Sequence, residues 1–226
     1  MTEKSDGLVT GYAVSEVLPA ETIDTLDPGT NVVVVGPSMS GKRSLALELL
    51  AAGYEDGEGI LCITTTRTKR IYDDLKRYVP SLEEDRIGVV DCSGSESRSA
   101  IEQMTESVPS PGDLTGISIG TAKLFKQFNR QGISDIRYGL ISVSTLLQYI
   151  DINTVFKFLH IYTNRVSETD GLGIYTLNDD THEEQTVNTI KGQFDVAVTL
   201  RETETGDLEC QVRGAGSGSR GWHPID

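Results

Sequence analysis

The chain has 226 residues, 34 Asp+Glu against 20 Lys+Arg, and a formal net charge of −14. So acidic a balance argues against a protein that grips nucleic acid through a broad basic face, which needs Lys and Arg to neutralise phosphates. At 37% hydrophobic and 24% charged, the composition predicts roughly one globular domain, large enough to bury a core without staples. Cys62, Cys92 and Cys210 lie far apart, which excludes a disulfide framework, a CxxC redox pair and a cysteine zinc site. Cys62 and Cys92 sit in apolar runs and read as small buried side chains. His160, His182 and His223 are isolated, so no histidine pair has metal-ligand spacing. Residues 1–11 are polar, and no window approaches the ~20 apolar residues of a membrane span, so a cytoplasmic chain is expected. Dense carboxylates, with twelve Arg against eight Lys, also suit a salt-rich cytoplasm.

In chain order the pattern alternates strand and helix. Residues 31–35 (NVVVV) are a short apolar run of the kind buried on both faces of a sheet. After a Gly-rich turn, a helix starts near Arg43, with Leu45, Leu49 and Ala52 at helical spacing and Gly53 as its stop. Residues 59–65 (GILCITT) predict the next strand. A helix over 68–79 follows, with Ile71, Leu75 and Tyr78 on one stripe and Pro80 closing it. Residues 86–91 (RIGVVD) read as a third strand, and 96–108 as a helix bearing Ile101, Met104 and Val108. A loop over 109–116 leads to a helix over 118–130, with Ala122, Phe125 and Phe128 or Asn129 toward the core. Then come a strand over 138–143, a helix over 154–166, a strand over 173–177 and a helix over 183–191. Residues 194–201 and 208–213, joined by Glu-Thr-Gly-Asp, read as an antiparallel hairpin. These units imply an α/β fold in three layers, a mainly parallel sheet between helices with an antiparallel edge. Residues 26–214 form the domain, 1–25 a lead-in and 215–226 a Gly/Ser-rich tail whose Trp222 either meets a neighbouring subunit or folds back on its own sheet.

The most informative stretch is Gly36-Pro37-Ser38-Met39-Ser40-Gly41-Lys42-Arg43-Ser44. It follows a buried strand and opens a helix, the context a phosphate-binding loop requires. Glycines let the backbone fold around an anion, amide N–H groups point inward, and the helix N-terminus adds partial positive charge. Lys42 then reaches the terminal phosphates. The pattern G-x-x-x-x-G-K is met from Gly36 to Lys42. Its final hydroxyl is not, because Arg43 holds that position and Ser44 lies about 100° further round the helix.

On these residues the chain resembles the RecA/KaiC-like P-loop ATPase superfamily, within it a divergent haloarchaeal KaiC-like protein, from about Leu26 to the C-terminus. Tyr138–Ser142 followed by Ser144-Thr145-Leu146-Leu147 is similar to the family's Walker B strand. Val212-Arg213-Gly214, Ser219-Arg220 and Trp222-His223-Pro224 are similar to the end of KaiC-type domains. The resemblance implies ATP or ADP on the Gly36–Ser44 loop. It also implies a homo-oligomer, or a complex with another protein, in which Arg213 and Arg220 face a neighbour.

The departures point away from hydrolysis. Ile141, or Ser142 one register on, stands where the Walker B aspartate belongs, and neither holds magnesium as a carboxylate does. The strand that precedes the family's catalytic glutamate ends here in Thr64-Thr65-Thr66-Arg67. The family's Lys-x-Arg corresponds to Gln211-Val212-Arg213. Expected, therefore, is a nucleotide-binding regulatory or assembly protein with little or no turnover and no proper magnesium site. The alternatives are an active ATPase of recombination, repair or signalling, and an interaction module without nucleotide. Elsewhere, Asp91 reads as a loop-initiating residue, Asp113 or Thr115 as a helix cap, and Asn178-Asp179-Asp180-Thr181 as a turn and cap. Lys123, Lys126 and Arg130 read as a solvated stripe, and Phe156, Phe158 and Tyr162 as core or subunit packing.

Overall fold

A computed structural model describes residues 11–94, 104–214 and 218–225. A small antiparallel ribbon comes first, Tyr12–Ala13 (β1) with Thr25–Leu26 (β2). The main sheet then alternates with helices: Asn31–Gly36 (β3), Lys42–Ala51 (α1), Gly59–Thr64 (β4), Thr68–Leu75 (α2), Ile87–Asp91 (β5) and Thr105–Ser107 (β6). It continues with Leu114–Gln131 (α3), Ile136–Ile141 (β7), Val143–Tyr149 (α4), Ile152–Glu168 (α5), Leu172–Asn178 (β8) and Glu184–Lys191 (α6). Val196–Glu202 (β9), Leu208–Gly214 (β10) and His223–Pro224 (β11) close the chain. Among the described residues the sheet order is β11-β10-β9-β3-β8-β7-β4-β5-β6. It is parallel from β9 to β6 and antiparallel where β10 and β11 join. The expected three-layer α/β architecture is the observed one.

Strand periodicity divides the core in two. Val32 and Val34 pack with α1 and α2 on one face, while Val33 and Val35 pack with α3, α4, α5 and α6 on the other. Burial on both faces explains why β3 and β4 carry no polar alternation. At the sheet's amino edge Arg137 is fully buried. Its guanidinium meets Glu58 at 2.5 Å and donates to the carbonyls of Leu49 and Ala13, with the Tyr12 ring 5.5 Å away.

Several local expectations change. Of the helix expected over 96–108, residues 96–103 lie outside the described part. Residues 105–107 form β6, a polar edge strand parallel to β5, flanked by buried Met104 and Val108. Val143 belongs to a helix, α4, because Ser142 turns the chain with φ 93° directly after β7. On α3 the buried positions are Ile117, Gly120, Thr121, Leu124 and Phe128, one step round from the expected stripe. Of the two readings of the tail, the chain end takes the one that returns to its own sheet: β11 pairs with β10, and Trp222 lies 4.0 Å from the Arg201 guanidinium.

Candidate functional site

β3 delivers Gly36 to the carboxyl edge of the sheet, where open α/β folds bind ligands. A Cβ at Gly36 would stand 2.7 Å from Ser40 Oγ and 3.2 Å from Leu200, so the turn requires glycine. Gly41 takes φ 80°, a left-handed conformation that glycine adopts without a steric cost. Met39 takes a left-handed conformation too, at φ 66°, where a side chain carries a steric cost, and it is fully exposed at the crest of the loop. Pro37 and Ser38 are exposed beside it. The loop thus wraps around the start of α1, whose first N–H groups have no carbonyl one turn back and whose dipole is positive there.

Inside this turn Lys42 is buried, with Nζ donating to Pro37 O at 2.6 Å. Burial pulls its ammonium pKa down, while the carboxylates of Asp180 and Asp179 oppose that shift. Ser40 Oγ is buried without a hydrogen-bond partner. A buried cation, an orphaned hydroxyl and helix-start N–H groups are donors of the kind that a phosphate group accepts from. The chain itself answers part of that demand. Asp180 Oδ2 accepts from Ser38 N at 2.9 Å and Oδ1 from Ser38 Oγ at 3.1 Å. Asp180 therefore bonds the loop, and Glu183 stands at the N-cap of α6.

The positions a magnesium ion needs carry other chemistry. Arg43 turns to Asp74 of α2, with Nη1 and Oδ2 2.7 Å apart, while Ser44 is exposed. Ile141 is buried, and Ser142 Oγ caps α4 by accepting from Thr145 N at 3.1 Å. Beyond β4, Thr64 Oγ1 accepts from Thr66 N at 3.0 Å, with no carboxylate in that segment. Asp151 caps α5 through Asn153 N and Thr154 N, and the Thr154 hydroxyl, with these N–H bonds, holds its carboxyl below the usual range. Among the described residues no group of three His, Cys, Asp or Glu is placed to hold a metal. The loop's donors fit nucleotide phosphates. They do not fit magnesium.

A model of the family of unknown function DUF7504 matches residues 29–200, most of the chain and all of this site. The chain belongs to DUF7504. Among solved structures, this DUF7504 chain is similar to a KaiC-like protein of the hyperthermophilic archaeon Pyrococcus horikoshii OT3, with a TM-score of 0.64 over 96% of this chain and 93% of that one. Their identity is 12%, so the likeness is one of fold, the KaiC-like RecA fold. No curated protein matches the chain.

The remaining candidates of this DUF7504 chain have structural roles. Asp91 is buried and accepts from the Thr68 N–H and hydroxyl at 2.8 and 2.9 Å, so it caps α2 from the neighbouring strand rather than only opening a loop. Asp113 caps α3 through Gly116 N. Lys123 pairs with Glu106, while Lys126 and Arg130 are exposed. Buried Phe158, Tyr162 and Tyr175 form an aromatic row that half-buried Phe194 extends, and Phe156 is also half-buried. All three cysteines are buried, and burial pushes the Cys62 and Cys92 thiols up to about 12. Arg213 and Arg220 are exposed near the β10 edge. Two contacts cannot be read from the sequence, Asp180 on Ser38 and Asp74 on Arg43. Both are contacts between segments far apart in the chain, and neither leaves a local pattern.

Proposed function

We propose that this chain binds ATP or ADP on its phosphate loop and acts as a regulatory or assembly protein with little or no hydrolysis. The observation that carries the reading is the loop itself: Gly36 and Gly41 shape it, Lys42 is buried in it, and Ser40 Oγ is left without a partner. Lys42 would exchange the Pro37 carbonyl for phosphate oxygens, and the N–H groups at the start of α1 would take the rest. A bound nucleotide supplies a transferable phosphoryl group, but moving it depends almost wholly on positioned charge. Removing one such stabilising group commonly costs on the order of 10²–10³ in rate. Here the carboxylates at the end of β7 and beyond β4 are both absent, as is the hydroxyl at position 43. The KaiC-like fold supports the nucleotide-binding part of this reading. Nucleotide on such a chain then serves binding and assembly, with a second copy or another protein as the partner.

The test is calorimetric titration with ATP in molar KCl. Lys42→Ala is expected to lose at least tenfold in affinity, as fits the loss of a charge-assisted bond of about 1.5–3 kcal/mol. Phosphate release by the parent, with magnesium, is expected to equal that of Lys42→Ala. Equal binding by both proteins removes the nucleotide reading; turnover that depends on Lys42 makes the chain an ATPase.

A further inference from the structure

The phosphate loop already holds an anion of the chain's own. β8 runs parallel to β3 with Asn178 opposite Gly36, so the segment after β8 emerges directly beside the loop. Four hydrogen bonds lace the two together. Asp179 N donates to Gly36 O at 3.2 Å, Asn178 Nδ2 donates to Ser38 Oγ at 3.4 Å, and the Asp180 carboxylate takes both the N–H and the hydroxyl of Ser38. The Ser38 bonds also hold the Asp180 carboxyl below its ordinary range, with Lys42 adding a smaller pull.

We propose that Asp180 is a resident competitor for the phosphate site. Its carboxylate holds the loop through Ser38 and must be displaced before a ligand's phosphate can settle, so this residue sets how tightly the loop accepts anions. The proposal rests on the nucleotide-binding reading above. Its physical basis is the match between the two groups. A carboxylate on a main-chain N–H makes the same charge-assisted bond that a phosphate oxygen would make. A phosphate arriving while Asp180 stayed in place would add a second negative charge to the one that already acts on Lys42, which is unfavourable. Lys42 cannot offset both anions with one ammonium. Release of Asp180 is therefore part of binding, and its cost is subtracted from the affinity of any phosphate ligand.

Asp179 provides an internal control. It contributes a similar charge near Lys42, but only its main-chain N–H bonds the loop. Calorimetric titrations with ATP, and separately with inorganic pyrophosphate, would compare the parent with Asp180→Asn and Asp179→Asn at one KCl concentration. Asp180→Asn keeps the shape and removes the charge. It is expected to bind both ligands on the order of tenfold more tightly. Asp179→Asn is expected to gain much less. A silent parent beside a binding Asp180→Asn variant supports the proposal equally. No gain for Asp180→Asn, or the same gain for both variants, overturns it and leaves the nucleotide reading standing. If none of the three proteins binds either ligand, the nucleotide reading itself falls.

Discussion

Arg43 stands where the loop pattern calls for a hydroxyl, and its environment shows what that exchange does. Its guanidinium reaches across to Asp74, which also faces Arg70 at 4.0 Å and Arg77 at 3.6 Å. Arg43 therefore ties α1 to α2, and its charge is paired outside the loop rather than added to that of Lys42. Its Nη2 is buried without a partner, so the tie is imperfect. Replacing it with the expected residue type, Arg43→Thr, separates the two roles. Half-exposed pairs of this kind are worth about 0.2–1 kcal/mol, and Asp74 keeps two other arginines, so urea unfolding should shift only slightly. Hydrolysis should not appear. A hydroxyl restores one magnesium contact, yet Ile141, Ser142 and Thr64 to Thr66 still offer no carboxylate to complete the shell or to orient water. Phosphate release by Arg43→Thr, with ATP and magnesium, is expected to match that of Lys42→Ala. A clear rise would mean that the missing acids are not what prevents turnover.

Among the elements, α2 shows how one carboxylate can hold a helix in place. Arg67 precedes α2 and gives it no side-chain cap. Asp91, at the end of β5, supplies that bond from another strand and also accepts from Ser93 N at 2.9 Å. Asp91→Ala leaves buried donors unpaired, and a loss of about 1–3 kcal/mol is expected in urea unfolding. An unchanged midpoint would show that α2 is held by Ile71 and Leu75 alone. The elements also show what the sequence makes legible. The buried parallel strands are plain because runs such as NVVVV have few other uses. Thr105–Ser107 is not, since a polar edge strand between Met104 and Val108 has the four-residue spacing of a helix stripe. α4 stays hidden because Val143 follows the mostly apolar strand run Tyr138–Ile141 and is itself β-branched, and the turn at Ser142 depends on a conformation that serine rarely adopts. At the site, the turn from Gly36 to Lys42 between β3 and α1 is legible because its pattern is local. Asp180 is not. It lies 142 positions from Ser38 and reads as a turn until β8 is laid beside β3.

For the whole molecule the governing quantity is a net charge of −14. The cations that remain are unevenly spread: α3 and α5 carry Lys123, Lys126, Arg130, Lys157 and Arg165 against Glu168 alone. Acidic excess therefore concentrates on the other surfaces, including the β9–β10 turn with exposed Glu202, Glu204 and Asp207. Two copies approaching in dilute salt repel one another. Screening shortens the reach of that repulsion from about 10 Å at 0.1 M to about 3 Å at 1 M. Any association of this chain should then require salt, the reverse of what ion pairing alone would give. The β10 edge is the surface proposed to meet a neighbour, with Arg213 and Arg220 exposed there and Trp222 half-covered by Arg201. Deleting the tail would also strip β11 from the sheet, so Arg213→Glu with Arg220→Glu is the cleaner probe. Multi-angle light scattering across 0.1–2 M KCl should show the monomer giving way to a larger species as salt rises. The double variant should lag behind the parent. A parent that stays monomeric throughout, with and without ATP, rules out self-assembly as the chain's mode of action.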